Sequence, residues 1–193
     1  MRELKSVEEK ILDSTLYLIG NKGTSNVPIR AIAKEAGVNV SAINYYFRSK
    51  DEMLRQTKEF FISNTIAIFS ILDKTEYSQE ERLILFANEI MEYTIRYSGL
   101  TVILKEADRL KQEDELSKRI VEVTKELHLK IEKLLSEVVE SSPFQSKYNT
   151  IIFISSLIYP IDKSNLLNYD KAIMAEKEKR IEYIKYVIDR MKN

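Results

Sequence analysis

The stretch that decides the fold runs from Val27 to Lys50 and reads VPIRAIAKEAGVNVSAINYYFRSK. Its first part places apolar side chains at the spacing i, i+3, i+4 and i+7, which is typical of one helix face; they are Ile29, Ile32, Ala33 and Ala36. Gly37 follows the last of them, and glycine readily takes the left-handed conformation found at helix ends. The pattern therefore predicts a short helix that stops at a tight turn.

A second short helix is predicted directly after that turn. Asn39 is a residue type that caps helix starts, and Val38 before it is placed to pack against Ile43. Ile43 and Phe47 point this helix inward, which leaves a small, polar and nearly flat face made of Val40, Ser41, Ala42, Asn44 and Tyr45. The pattern therefore predicts two short helices joined by a tight turn. This is the arrangement of a helix-turn-helix, which places its second helix, the recognition helix, in the major groove of DNA.

The charge of this region also favours DNA binding as its function. Residues 26–50 carry four basic side chains against one acidic, a surplus of three in a chain whose formal net charge is zero. Asn44 can pair with base edges, Ala42 can contact a thymine methyl, and Tyr45 can reach a phosphate or a base. Lys50, in the first turn of the next helix, opposes the helix dipole unless an anion lies nearby. From the residues alone, an ordinary packing corner between two helices is an equal alternative.

A resemblance to a known family lies in residues 29–54, which read IRAIAKEAGVNVSAINYYFRSKDEML. This run resembles the signature of the TetR (tetracycline-repressor-like) family of bacterial transcriptional regulators, in register over about residues 7–56. The resemblance implies a DNA-binding head over 1–49 and an all-helical effector-binding and dimerisation domain over 50–193, which begins with a linking helix over 50–73. It also implies a homodimer on a palindromic operator, with DNA contacts from Arg30, Val40, Ser41, Ala42, Asn44, Tyr45, Tyr46 and Lys50.

Three positions depart from the usual pattern of that family. Pro28 stands where a hydroxyl residue is common, which puts one phosphate contact in doubt. Asn44 stands where an aromatic residue is common, so we expect a different base preference at this position. Val40 replaces a frequent polar residue and offers only apolar contact.

The composition excludes several kinds of chemistry. The 193 residues contain no cysteine and one histidine, so a disulfide framework, a thiolate nucleophile, a Cys-ligated zinc site and a multi-histidine metal site are all excluded. Lys125 stands three residues before His128, where a di-iron helical bundle needs a glutamate. We therefore expect no cofactor, no metal and no enzymatic activity.

The scarcity of chain-breaking residues predicts an all-α fold. Four glycines and three prolines are too few for a sandwich or barrel, which needs a turn every ~8–12 residues. About nine helices are predicted, four of them started by capping serines; their spans are 6–21, 28–36, 40–47, 50–73, 79–98, 100–111, 113–140, 143–159 and 170–191. The most apolar run, residues 151–161, is far shorter than the ~20 residues that span a bilayer, so we expect a soluble, cytoplasmic protein with no membrane partner.

Apolar and tyrosyl side chains of the predicted body are candidates for the lining of an effector cavity. They would suit a mostly hydrophobic small molecule, and they are Phe86, Ile90, Tyr93, Tyr97, Ile103, Leu127 and Ile131. An ordinary helical core is the alternative, because an apolar stripe at helical spacing usually packs against its own chain.

The last two predicted helices carry more apolar surface than the end of a monomer usually hides. By analogy with the family we assign a dimer interface to Ile151, Ile154, Ile158, Ile181, Ile184 and Ile188. Packing within the chain is the alternative. A dimer is favoured because one short recognition helix binds DNA weakly, and a second copy of the chain supplies a second recognition helix.

The sequence thus predicts a ligand-responsive repressor, which binds a palindromic operator as a homodimer and is released by a small hydrophobic effector. The alternative is a helical protein-interaction adaptor with a degenerate DNA-binding head. Pro28 and the modest charge surplus favour this alternative.

Overall fold

The structure is a computed structural model that describes residues 6–97, 100–162 and 175–192. Within these ranges the chain forms α-helices, one short 3-10 helix and no strand. The α-helices are α1 (Val7–Lys22), α2 (Ile29–Ala36), α3 (Val40–Phe47), α4 (Lys50–Phe69), α5 (Gln79–Arg96), α6 (Leu100–Leu110), α7 (Glu115–Val138), α8 (Pro143–Asp162) and α9 (Lys177–Lys192). The predicted all-α fold class is confirmed. None of the described helices is long and apolar enough to cross a membrane.

Serine side chains cap the starts of four helices, as the sequence predicts. At α1 the Glu9 amide donates to Ser6 Oγ at 3.1 Å. At α5 the capping is reciprocal, because the Ser78 amide donates to Glu81 Oε2 at 2.8 Å and the Glu81 amide donates to Ser78 Oγ at 3.3 Å. The same kind of hydroxyl cap starts α4 and α8, where the serines are Ser49 and Ser142. Local sequence therefore fixes these four starts.

The observed helices differ from the predicted ones mainly at their ends. Helix α4 stops at Phe69 and continues as the 3-10 helix Ser70–Asp73, whereas one α-helix is predicted over 50–73. Helix α7 begins at Glu115 rather than at 113. Parts of two predicted spans, residue 98 and residues 170–174, lie outside the described residues.

Helix α8 also continues beyond its predicted end at residue 159, through Pro160. A proline has no N–H to donate to the carbonyl four residues earlier, which here belongs to Ser156. That carbonyl accepts a hydrogen bond from the Tyr183 hydroxyl of α9 at 2.7 Å. The helix can therefore pass through the proline, because a donor from another helix satisfies the freed acceptor.

The chain divides into two compact units. Unit 1 comprises Met1–Ile66 and Arg96–Val123, and unit 2 comprises Ala67–Ile95 and Thr124–Asn193. Unit 1 thus combines α1, α2 and α3 with the first part of α4, with α6 and with the start of α7. The division into domains at residues 49 and 50 stays a prediction.

The core of unit 1 is built from apolar side chains of α1 to α4. Ile32, Ile43 and Phe47 lie inside, as the periodicity of the sequence predicts, and each is at most 1% exposed. They share this core with Ile11, Leu16 and Met53. Side-chain burial, rather than intrinsic helix stability, holds α2 and α3 in place, since isolated helices of eight residues are unstable in water.

A buried carboxylate joins α1 to the end of α5 inside unit 1. Asp13 is 3% exposed, and it accepts hydrogen bonds from the guanidinium of Arg96 and from the hydroxyl of Tyr97. Burial, together with the hydrogen bond to Asp13, raises the pKa of Tyr97 above its ordinary value. Tyr97 is one of the predicted cavity residues, and its hydroxyl is used here for a contact within the protein.

The core of unit 2 contains aromatic and aliphatic side chains of α5, α8 and α9. Phe86, Phe153 and Leu157 are fully buried. Unit 2 also buries a charged side chain: Arg180 is 5% exposed and donates from Nε to Asn88 Oδ1 at 3.1 Å. A buried guanidinium needs such acceptors, so this contact fixes the register of α9 against α5.

A carboxylate at the start of α7 binds a lysine of α4. The Ser117 amide donates to Asp114 Oδ2 at 2.9 Å, and Lys58 Nζ donates to the same oxygen at 2.7 Å. Burial raises the pKa of Asp114, but the hydrogen bonds from Lys58 and Ser117 outweigh it and lower the pKa to about 2. Asp114 is therefore a helix cap and one half of an ion pair at once.

The depressed pKa of Asp114 predicts a pH-dependent part of the stability. The ionised form is favoured in the folded state, so its contribution is complete above pH ~4 and is lost as the pH falls toward about 2. We expect Asp114→Asn to lower the free energy of unfolding near neutral pH and the difference from wild type to shrink below pH ~4. Urea unfolding across this pH range measures it. The control is Asp108→Asn, and a difference that stays constant with pH would refute the assignment.

Candidate nucleic-acid interface

The turn between α2 and α3 fixes the direction of α3 relative to α2. Gly37 adopts φ 67° and ψ 31°, in the left-handed region, and the Val38 amide donates to the Ala33 carbonyl at 2.9 Å. Asn39 then caps α3, because its Oδ1 accepts from the Ala42 amide at 2.7 Å. Both predicted turn features are thus confirmed, and the start of α3 is set by hydrogen bonds on both sides of the turn.

The outer face of α3 is exposed to solvent in this single chain. Tyr45 is 80% exposed, Val40 38% and Tyr46 39%. The rings of Tyr45 and Tyr46 meet edge to face, with centroids 5.2 Å apart. Ser41 and Asn44 are also exposed, and Ala42 is half-buried. All six residues of α3 that are predicted to contact DNA are therefore at least partly accessible; they are Val40, Ser41, Ala42, Asn44, Tyr45 and Tyr46.

Basic side chains lie on the two helices next to α3 in the chain. Arg30 and Lys34 of α2 are exposed, and Lys50 at the start of α4 is half-buried. Lys50 Nζ donates to Asn26 Oδ1, in the loop between α1 and α2, at 3.0 Å. An ammonium group has three protons, so this contact leaves two for an anion such as a phosphate. The loop thereby holds Lys50 in a defined position at the start of α4.

One feature of this surface, the backbone conformation at Arg48, has no signal in the sequence pattern. Arg48 has φ 61° and ψ −38°, a region that L-residues rarely adopt, and it is exposed. The Ser49 amide donates to the Phe47 carbonyl at 2.6 Å around it, which makes a three-residue γ-turn between α3 and α4. Glycine is the usual residue for such a backbone, so an arginine here carries strain.

The residues predicted to line an effector cavity are divided between the two units. Phe86, Ile90, Tyr93 and Ile131 are buried in unit 2, and Leu127 there is half-buried. Tyr97 and Ile103 are buried in unit 1. Of the set, Ile103 lines an open pocket of about 250 Å³ in unit 1. The cavity assignment as a whole stays a prediction.

The residues predicted to form a dimer interface differ in their accessibility. Ile151 is 58% exposed, and three others are half-buried, namely Ile154, Ile158 and Ile181. Ile184 and Ile188 are fully buried inside their own chain. Their assignment to the interface is therefore wrong: they pack within unit 2 and have no surface to offer a partner.

A row of exposed apolar side chains on α8, here called the α8 stripe, includes Ile151 of the predicted interface and four residues that were not predicted. It contains Phe144, Tyr148, Ile151, Ile152 and Tyr159, each at least half exposed. The rings of Phe144 and Tyr148 stack edge to face at 4.9 Å. Their spacing of i, i+4, i+7, i+8 and i+15 follows one helix face, so helical periodicity was the signal that could have found them.

Helices α2 and α3, the turn at Gly37 and the exposed face of α3 together have the arrangement of a helix-turn-helix. Residues 11–57 match the sequence profile of the bacterial regulatory proteins of the tetR family. The probable HTH-type transcriptional regulator YttP of Bacillus subtilis is 33% identical over 99 residues, which are 50% of this chain and 47% of that protein. Residues 11–57 of this chain thus resemble the bacterial regulatory proteins of the TetR family.

Other comparisons give one further similar sequence and two similar folds. The nucleoid occlusion factor SlmA of Salmonella newport is 28% identical over 130 residues, 67% of this chain and 66% of that protein. A TetR-family regulator from Bordetella parapertussis has the same fold at 15% identity, with a TM-score of 0.69 and 96% of both chains covered. The fatty acid degradation regulator FadR from Bacillus halodurans has a TM-score of 0.58 at 19% identity, with 100% of this chain and 97% of that chain covered. The chain spans about half to two thirds of the length of the curated relatives it matches.

The strained turn at Arg48 predicts an unusual effect on stability. We expect Arg48→Gly to raise the free energy of unfolding by about 1 kcal/mol, because relief of the strain exceeds the extra freedom that glycine has in the unfolded chain. Chemical unfolding measures this change. Arg48→Ala is the matched control, since it removes the side chain and keeps the strain. The turn is unstrained if the glycine and alanine variants are equally stable.

Proposed function

We propose that this protein is a ligand-responsive transcriptional repressor. It binds a palindromic operator as a homodimer, places α3 of each copy in the major groove, and leaves the DNA when a small hydrophobic effector binds. The site of action is the cytoplasm, where bacterial DNA lies. The observation that carries the proposal is the accessible face of α3, which is bordered by basic side chains and kept clear by the inward-facing Ile43 and Phe47.

The side chains around α3 fit two different tasks on DNA. Arg30 and Lys50 are cations placed to neutralise phosphates, which gives affinity without sequence preference. Asn44 is exposed and carries both a donor and an acceptor, the pair that matches the edge of an adenine in the major groove. Ala42 and Val40 offer small apolar surface that suits a thymine methyl. Affinity and sequence preference thus rest on different residues.

The homodimer is proposed to form through the α8 stripe, with support from α9. TetR-family proteins bind DNA and usually form dimers. An exposed row of five large apolar side chains is more than an isolated monomer usually leaves in water. On α9, Tyr186 is 58% exposed and its ring is covered by Arg190 at 5.1 Å. A two-fold pairing of such faces would place two recognition helices about one DNA turn apart, ~34–36 Å.

Release by an effector is proposed as a shift between two conformations of the dimer. The effector would bind among the buried apolar side chains of unit 2, which include Phe86, Ile90, Tyr93, Leu127 and Ile131. A ligand that binds better to one conformation raises its population, and a conformation with the wrong spacing between recognition helices would not fit the operator. Binding energy is thereby converted into loss of DNA affinity.

The roles assigned on the DNA-binding surface predict two separable effects. We expect Lys50→Ala to weaken binding to all duplexes alike and to reduce the slope of log K against log salt by about two per dimer, because each subunit loses one phosphate contact. We expect Asn44→Ala to change the preference at particular base pairs, since it removes a base-edge contact. Duplexes selected from a random pool, followed by fluorescence titrations at several salt concentrations, measure both.

The matched control for Lys50→Ala is Asn26→Ala. It removes the same internal hydrogen bond at Lys50 and keeps the ammonium, so the salt slope should stay at the wild-type value. A slope that Lys50→Ala leaves unchanged would exclude the phosphate role. If the wild-type chain shows no salt-sensitive binding to duplex DNA, the adaptor alternative is favoured over the regulator.

The α8 stripe predicts where the dimer can be broken. We expect Ile151→Lys to weaken dimerisation by at least about thirtyfold, because an unpaired ammonium buried in each of the two copies costs at least ~2 kcal/mol in total. Sedimentation velocity over a range of concentrations measures the dissociation constant. Leu129→Lys is the control, as Leu129 is 66% exposed and lies on α7 outside the stripe. Equal dimerisation of both variants and wild type would rule out this interface.

A further inference from the structure

Unit 1 contains a pocket that the proposed regulator function leaves unused. Its volume is about 250 Å³, smaller than the ~300–1,000 Å³ of sites for drug-sized ligands. The floor is apolar: Ile19 comes from α1, Leu54 and Phe61 from α4, and Ile103 and Ala107 from α6. Such a pocket suits a small ligand with a compact apolar body.

The cations that line this pocket are already neutralised by carboxylates. Lys58 is paired with Asp114 at 2.7 Å. Arg55 is paired with Glu52 at 2.7 Å and with Glu59 at 2.6 Å. An anionic ligand would have to displace one of these acidic partners, so the lining disfavours negative charge in the pocket.

Two other carboxylates of the lining have no cationic partner among the described residues. Asp51 at the start of α4 and Glu106 of α6 both line the pocket, and neither forms an ion pair with any residue that the structure describes. Glu106 Oε1 accepts a hydrogen bond from the neutral hydroxyl of Ser25 at 2.9 Å. The uncompensated charge of the pocket is therefore negative, and a half-buried carboxylate is strengthened as a cation acceptor by the low dielectric around it.

We propose that this pocket binds a small organic cation, a primary ammonium carried on an apolar body. The ammonium would pair with Glu106, and the apolar body would lie against Phe61 and Ile103. This site is separate from the effector cavity proposed in unit 2.

An occupant of this pocket would also act on the DNA-binding surface. Glu106 holds Ser25, and the next residue along the chain, Asn26, holds Lys50. An ammonium at Glu106 competes with the Ser25 hydroxyl, which frees the loop that positions Lys50. This consequence rests on the proposed DNA-binding function, whereas binding of the cation does not.

The binding test uses 2-phenylethylammonium as the probe and the full chain without DNA. Calorimetric titration should show saturable binding to wild type, and 3-phenylpropionate, of similar size and opposite charge, should bind at least about tenfold more weakly. Glu106→Gln keeps the shape and the acceptor for Ser25 but removes the charge, and it should weaken binding of the ammonium about tenfold. Asp108→Asn, an exposed change on the same helix, should leave the affinity as in wild type.

Three results would overturn the site: no saturable binding by wild type, equal affinity for the two probes, or wild-type affinity in Glu106→Gln. A second variant guards against indirect effects. Ser25→Ala removes the competing hydroxyl and should strengthen binding of the ammonium, and weaker binding would contradict the competition.

The effect on DNA is measured with a duplex that the wild-type chain binds. Saturating 2-phenylethylammonium should weaken duplex binding at least about fivefold in wild type and leave it unchanged in Glu106→Gln. An unchanged duplex affinity in wild type with the cation bound would overturn the coupling alone. Absence of duplex binding altogether would count against the proposed function, while the calorimetric result for the cation would stand.

Discussion

The burial of Ile43 and Phe47 is the constraint on which the exposed face of α3 depends. Each of these side chains is 1% exposed, and together they hold an eight-residue helix that would not persist alone in water. Because they lie on one side of α3, the opposite side is left free of packing. The turn at Gly37 and the cap at Asn39 add direction to this anchoring. The exposed face of α3 is thus a result of what the inner face buries.

Polar contacts between distant parts of the sequence complete unit 1. Asp13 binds Arg96, Lys58 binds Asp114, and the Ser25 hydroxyl binds Glu106; that list spans α1, α4, the end of α5, α6 and the start of α7. Each contact satisfies at least one group that is partly or fully removed from water, so losing a partner leaves an unsatisfied polar group behind. Helix α3 is therefore part of a compact unit that extends well beyond the helix-turn-helix.

Much of the fold could be predicted because its signals are local. Capping serines marked four helix starts, and the spacing of Ile32 and Ala33 marked the buried face of α2. The same kind of reasoning failed at Pro160, where the hydroxyl of Tyr183 accommodates a proline inside α8. It failed again at Ile184 and Ile188, because an apolar stripe at helical spacing looks the same whether it faces its own chain or a partner.

The sequence by itself determined the class of the fold, the helix-turn-helix and the face of α3 that points outward. These follow from periodicity and from residues that act on their immediate neighbours, such as Gly37 and Asn39. Only the tertiary structure decided which apolar residues of α8 and α9 stay exposed, where Lys50 is held, and that Arg48 takes a strained backbone conformation. Those features depend on contacts between residues far apart in the chain, and local patterns contain no information about such contacts.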